Sequence, residues 1–387
     1  MNISVQPSFQ DVIDDAKDLR ETTSSFWINF TQLEQLDDGI TDEQVIQVSK
    51  VEGDDGVKFE SDNLRFIQTE PGDYNVEYKG YEFVLETARR VCGTGLENAT
   101  SFHISPDETR YLIGDDGGSL ILGSLADGCQ KKTIKSAHYS TITRSCFFPS
   151  GEVALTTGLD LQIKIWNLQD GSSPRVFKSQ KSRITDLVMV ERGRNFLSSS
   201  LDGTINLWDC ASGMCISTFK RSRTVNDGVT ALCIAKGESK LQHTKSSYEH
   251  GTLGKTLIAG HNSGTVTLFD LGSREEILNV GGFQSAVVDV LKPSEFNVLI
   301  SYENGKVKSW DLRNIGTHTN EIDLKNTINS TVIDDESIVV SYATGYLSRL
   351  THTLESISTI VGTEDNVTLL ASQGTTYLCS SSSIYKL

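Results

Sequence analysis

The 387-residue chain is poor in methionine and proline, with three and six respectively, and it has no long apolar run. No stretch approaches the ~18 consecutive apolar residues of a membrane-spanning helix, so no membrane association is expected. The first twenty residues lack a basic flank followed by an apolar segment, and a secretory leader is not expected. Seven cysteines, an odd number with no Cys-x-x-Cys pair, fit reduced thiols in the cytoplasm and nucleus. They offer zinc no set of four ligands at the required spacing. Basic stripes are missing too. Net charge is −16, and residues 1–80 hold 18 Asp and Glu against 6 Lys and Arg, so −12 of the total lies there. An acidic chain repels phosphate and steers basic partners toward itself, which argues against nucleic acid as a ligand. No GxSxG elbow, HExxH pair or GxxxxGK[ST] loop occurs, and Cys92-Gly93-Thr94-Gly95 lacks the third glycine of a dinucleotide loop. No catalytic residue, cofactor or metal is therefore expected. What remains is 37% hydrophobic and 8% aromatic residues, enough for a substantial core.

Internal repetition organises that material. LTTGLDLQIKIWNL (155–168) and LSSSLDGTINLWDC (197–210) align without gaps, with Asp160 and Asp202 each six residues before Trp166 and Trp208. Each reads as a short strand, a tight turn and an alternating strand. Asn304 and Trp310 repeat the spacing in ISYENGKVKSWDL, and weaker copies carry Phe269, Leu350 and Gly123 in the Trp slot. The slots fall at 123, 166, 208, 269, 310, 350 and near the C-terminus. That period matches the ~40–45 residues of a four-stranded propeller blade. The long interval before 269 holds a polar run over 236–255, read as a surface loop. The expected fold class is all-β: a seven-bladed β-propeller over 81–387 with a small acidic N-terminal domain over 1–80. The last copy stops after its third strand, and Glu82–Glu86 (EFVLE) is expected to close the ring as the missing fourth. Within 1–80 the pattern predicts a helix over 9–20, an apolar patch over 26–30, and strands near 45–51, 57–59 and 74–81.

The repeat resembles WD-repeat propellers. In that family a His, a Ser or Thr, the turn Asp and the Trp form a buried hydrogen-bonded network. The resemblance assigns His138, Thr156, Asp160 and Trp166 to it in the second blade. In the third it assigns Ser198, Asp202 and Trp208, with Gln180 in the His slot, and in the fifth Trp310. These residues are expected to hold blades together rather than to catalyse. The resemblance also gathers the Asp-slot turns and the inter-blade linkers on one face. Glu97, Asp115, Asp116, Asp227, Glu303, Glu364 and Asp365 are expected there as a negative, partner-binding rim.

Two further resemblances bear on function. Trp310-Asp311-Leu312-Arg313 is similar to the WDxR signature of cullin-RING ligase substrate receptors, in a single copy. CFFPSGEVALTTGLDLQIKIW and VERGRNFLSSSLDGTINLWDC, between Cys146 and Cys210, resemble the proteasomal ATPase-associated factor family over some 65 residues. That second resemblance implies a monomeric, non-enzymatic assembly chaperone of the proteasome regulatory particle base, cytoplasmic and nuclear. It would bind the C-terminal domain of an AAA-type ATPase subunit and leave before maturation. A ligase substrate receptor and a stable scaffold are the alternatives.

Overall fold

Short Val-, Ile- and Leu-rich segments separated by Gly- and Asp-containing turns favour antiparallel strands, since β-branched side chains pack well on a pleated surface. The computed structural model describes residues 2–18, 24–31, 41–51, 57–70, 72–94, 98–126, 131–221, 227–237, 244, 246–281, 284–314, 318–334, 337–363, 367–381 and 383–387. Among these residues, seven blades follow one another, each built outward from a first, innermost strand; all but the sixth have four strands. The innermost strands are Ala99–Ile104, Ile142–Phe147, Ile184–Val190, Val229–Lys236, Val287–Leu291, Ile328–Ile333 and Val367–Ser372. Each lies beside the next and the seventh lies beside the first, so the sheets form a closed ring. The chain is a closed β-propeller. Its one α-helix among the described residues is Phe9–Lys17, and no helix is long and apolar enough to cross a membrane.

Inner strands crowd at the ring centre, and the register of every one shifts where it meets its neighbour strand. Such bulges turn one extra residue out of the ladder. In the first three blades the freed residue is a threonine that ties its blade to the next. Thr100 donates to the Ile142 carbonyl at 2.6 Å, Thr143 to Ile184 at 3.0 Å and Thr185 to Val229 at 2.7 Å.

The N-terminal region is more extensive than 1–80. Strands Asn2–Val5, Ser24–Thr31, Thr41–Lys50 and Val57–Glu60 form one sheet. Leu64–Glu70, Asp73–Tyr78 and Tyr81–Thr87 form a meander that extends blade six to seven strands. Phe26, Ile28 and Phe30 of the apolar patch alternate inward, where they join Phe9, Ile13, Tyr74, Tyr78 and Leu85 in one core. The stretch expected as a single strand over 74–81 is a hairpin. Lys79 and Gly80, at φ 50° and 80°, make the tight turn that two left-handed residues favour.

Ring closure differs from expectation. Glu82–Glu86 lies in Tyr81–Thr87, which runs parallel to Ser356–Val361 of blade six through Leu85, Glu86 and Thr87. The closing strand is the next one, Arg89–Gly93, antiparallel to Ser383–Lys386 of blade seven. The alternation of EFVLE marked burial of Leu85 against the N-terminal core, not membership of the last blade. Arg349 locks the junction. It donates to both Glu86 oxygens at 2.8 and 2.6 Å and to Asp334 at 2.7 Å. Residues 246–254 of the expected polar surface loop are also anchored: Glu249 is buried against Arg274, and the His250 amide donates to Asn195 Oδ1 at 2.6 Å.

Ile384 and Tyr385 of the closing pair are fully buried. Tyr385→Ala should therefore cost about 3 kcal/mol of unfolding free energy, the usual scale for truncating a buried aromatic. It should lower a single melting transition. A separate early transition with the main one unmoved would show that the strand does not close the ring.

Candidate functional site

Each blade joins its second and third strands by a turn, and the linker into that blade reaches the same, upper face. A repeated backbone bond fixes the two together: Leu159 to Thr141, Leu201 to Arg183, Asn262 to Gly228, Glu303 to Ala286 and Ala343 to Thr327, amide to carbonyl. Register places Asp116 and Ser381 equivalently in blades one and seven. The rim thus reads Asp116, Leu159, Leu201, Asn262, Glu303, Ala343, Ser381 around the ring.

The blade network beneath it is complete in blade two. Trp166 Nε1–H donates to Thr156 Oγ1 at 2.8 Å, and His138 Nε2 lies 2.7 Å from the same hydroxyl. His138 Nδ1 lies 2.9 Å from Asp160 Oδ1, so Nδ1–H donates to the carboxylate and Nε2 accepts the threonine proton. Gly158 admits this approach, because a Cβ there would sit 2.6 Å from His138 Nδ1. His138 and Thr156 are buried, and burial lowers the histidine pKa. The Thr156 hydroxyl is thus engaged on both sides and closed to solvent, and His138, Thr156 and Asp160 tie the linker and turn of the blade together.

In blade three Gln180 replaces the histidine. Ser198 Oγ donates to its Oε1 at 2.7 Å and accepts from Trp208 Nε1 at 2.9 Å. Asp202 accepts the Lys181 amide at 2.7 Å. Trp310 is buried in the core of blades four and five, edge-on to His318. Arg313 donates to Asp311 and lies 4.7 Å over Phe296, occupied locally on the opposite face.

The expected acidic rim is not continuous among the described residues. Glu97, Glu364 and Asp365 lie outside them. Asp115 turns back to accept the Ser119 amide at 2.6 Å within its own turn. Asp227 is largely buried, accepting from Arg221 at 2.6 Å and from the Ser263 amide and hydroxyl at 3.0 and 2.6 Å. It clamps the blade-four linker to its turn and is not free for a partner. Asp116 and Glu303 are the exposed carboxylates, and Asp116 also accepts Asn98 Nδ2 at 2.9 Å. Apolar and neutral rim residues separate them.

Charges in the central channel were not anticipated. Arg144, Asp186 and Asp289 sit on the inner strands of blades two, three and five. Asp186 Oδ2 accepts the Leu232 amide at 2.8 Å, and Asp289 Oδ2 accepts the Thr331 amide at 2.7 Å. Each carboxylate caps an edge amide that the next blade leaves unpaired. Burial raises both pKa values, while Arg144 opposes the shift. A charged residue inside an apolar inner-strand pattern was the available signal. Among the described residues no cluster of three or more His, Cys, Asp or Glu suits a metal ion.

Comparison with known proteins accords with the ring. The family model described as nucleolar protein 10-like, N-terminal domain, matches residues 140–347. The 26S proteasome regulatory subunit RPN14 of Saccharomyces cerevisiae is 30% identical over 251 residues, 62% of this chain and 60% of that protein. Transducin beta-like protein 3 of Mus musculus is 25% identical over 236 residues, 57% of this chain and 27% of that protein. Pre-mRNA-processing factor 19 of Dictyostelium discoideum is 25% identical over 251 residues, 63% and 45%. The chain thus spans less than two thirds of the length of each of these relatives.

Two stability tests follow from the buried groups. Thr156→Val leaves the His138 and Trp166 nitrogens without their shared partner and should cost about 2 kcal/mol in denaturant unfolding. A loss below ~0.5 kcal/mol would show the network to be incidental. Burial holds the pKa of His103, on the inner strand of blade one, down to about 4 from 6.5, so the folded state resists its protonation. Stability from this residue is present above pH 6.5 and is lost as pH falls toward 4. The stability difference between wild type and His103→Gln should shrink by up to about 3 kcal/mol across that window. A constant difference would contradict it.

Proposed function

The chain belongs to the WD-repeat β-propeller family represented by the nucleolar protein 10-like N-terminal domain, and on that premise we propose that it is a non-enzymatic assembly chaperone for the proteasome regulatory particle base. The observation that carries this reading is the similarity to the yeast protein named as a 26S proteasome regulatory subunit, shared over 251 residues. The geometry supports a binding role. A closed ring holds its rim residues on short turns, those of blades two to six pinned by a backbone bond, so little conformational freedom is lost on binding. Its partner in this reading is the C-terminal domain of an AAA-type ATPase subunit, met as a monomer in the cytoplasm and nucleus. Asp116 and Glu303 contact basic residues there. Rim charges of this kind govern encounter rate and orientation more than affinity, which suits a protein that must let go.

Titration calorimetry against the six isolated ATPase C-terminal domains tests this. One domain should bind, and binding should weaken as salt rises. The double variant Asp116→Lys, Glu303→Lys should bind about tenfold more weakly with little change in melting temperature, because both side chains are exposed and the variant gives up only the surface bond from Asn98 to Asp116. Asp115 is left alone, since its carboxylate holds a turn together. Binding to none of the six would overturn the chaperone reading, and unaltered binding by the double variant would overturn the assignment of the rim.

A further inference from the structure

The rim divides by chemistry. On blades one and five it presents carboxylates, but on blades two and three it presents Leu159 and Leu201, 44% and 39% exposed. Beside them the linker into blade two presents Tyr139, 85% exposed. Three large apolar side chains on adjacent blades of a polar rim contribute nothing to the ring's core. They are held out firmly. The Tyr139 amide donates to Asp160 at 3.2 Å, Lys164 Nζ stands 5.5 Å from its ring centroid, and the Leu201 amide donates to the Arg183 carbonyl.

Charge in this sector is opposite to that of the chain. Lys178, Lys181 and Arg183, all exposed, occupy the linker into blade three. Among the described residues none of their side chains makes an ion pair or hydrogen bond. The carboxylates of the same sector are already engaged: Asp160 accepts from His138, Tyr139 and Gln162, and Asp202 accepts from the Lys181 amide and from Thr204. Free cations therefore border an exposed apolar patch while the nearby anions are consumed.

We propose that the upper face at blades two and three binds a linear acidic peptide segment carrying large apolar side chains. Its carboxylates pair with Lys178, Lys181 and Arg183, and its apolar residues cover Tyr139, Leu159 and Leu201. Charge sets the approach and register, and the apolar anchors supply most of the affinity. Pre-positioned anchors reduce the ordering cost on this side of the interface. The inference does not depend on the chaperone reading, because the partner surface it requires is acidic where that reading requires a basic one.

Selection of random twelve-residue peptides displayed on phage against the intact chain tests it. Enriched sequences should be rich in Asp and Glu with Leu, Phe or Trp. A fluorescein-labelled peptide of the enriched sequence should lose at least tenfold in affinity for Lys181→Glu, Arg183→Glu and, separately, for Leu159→Ser, Leu201→Ser. It should bind Asp116→Lys, Glu303→Lys as well as it binds wild type, with all variants melting as wild type. Enrichment of basic peptides, failure to enrich any sequence, or binding indifferent to the blade-two and blade-three variants would each overturn the proposal.

Discussion

One residue carries the constraint on which the architecture depends. Ala88 separates Tyr81–Thr87, the fifth strand of blade six, from Arg89–Gly93, the outer strand of blade seven. The chain therefore leaves its N-terminal core by adding a strand to one blade and at once completes the next. Ala88 is buried, and its amide donates to the Val361 carbonyl at 2.9 Å. Gly362, at φ 88°, packs against Thr87 and Ala88 where a Cβ would come within 3.2 Å of Thr87. A parallel pairing of only three residues would be weak alone. The Arg349 fork to Glu86 and Asp334 is paired and hydrogen-bonded on both sides, as a partly buried cation must be. Thr376 of blade seven also donates to Asp334, so the lock reaches the closing blade. The N-terminal core, blade six and ring closure are consequently one mechanical unit.

Much of this was legible and some was not, for identifiable reasons. Repeat spacing located the turns and strands because a blade's period is set by strand length and tight turns, and both are written locally. Alternation also marked which residues of the N-terminal region point inward, as Phe26, Ile28 and Phe30 do. What alternation cannot encode is the identity of the sheet a strand joins. EFVLE advertised a buried face and was assigned to the wrong blade, while RRVCG, with only Cys92 buried, gave no signal although it closes the ring. Outer blade strands are half-solvated, so their sequences are weakly constrained. The helix ends at Lys17, short of the expected Arg20, and residues 19–23 fall outside the described set.

The site was legible only where its residues have structural duties. His138, Thr156, Asp160 and Trp166 satisfy one another's buried polar groups, a demand that fixes residue types as well as positions. Asp227 shows how the same demand misleads. In blade two a turn aspartate accepts an amide from the linker; in blade four a linker aspartate accepts the amide and hydroxyl of the turn. Blade five repeats the reversal with neutral groups, the Asn304 amide donating to Ser285 Oγ. The clamp needs one acceptor between turn and linker but not on a given side of the gap. A carboxylate in a loop was therefore read as surface charge when it was the acceptor of that clamp.

The same division explains why the rim varies while the ring repeats. In blades two to six the bond that pins the rim residue is made by its backbone amide and not by its side chain. Leu159, Leu201 and Glu303 thus occupy equivalent backbone positions, each pinned by the same bond, with unrelated chemistry. Substitution there alters what the upper face presents without altering how it is held. Inner-strand positions have no such freedom, since Asp186 and Asp289 each cap an amide on the next blade and lie in a channel that disfavours their charge. The chemistry of the upper face is therefore set largely by side chains that the fold displays but does not use.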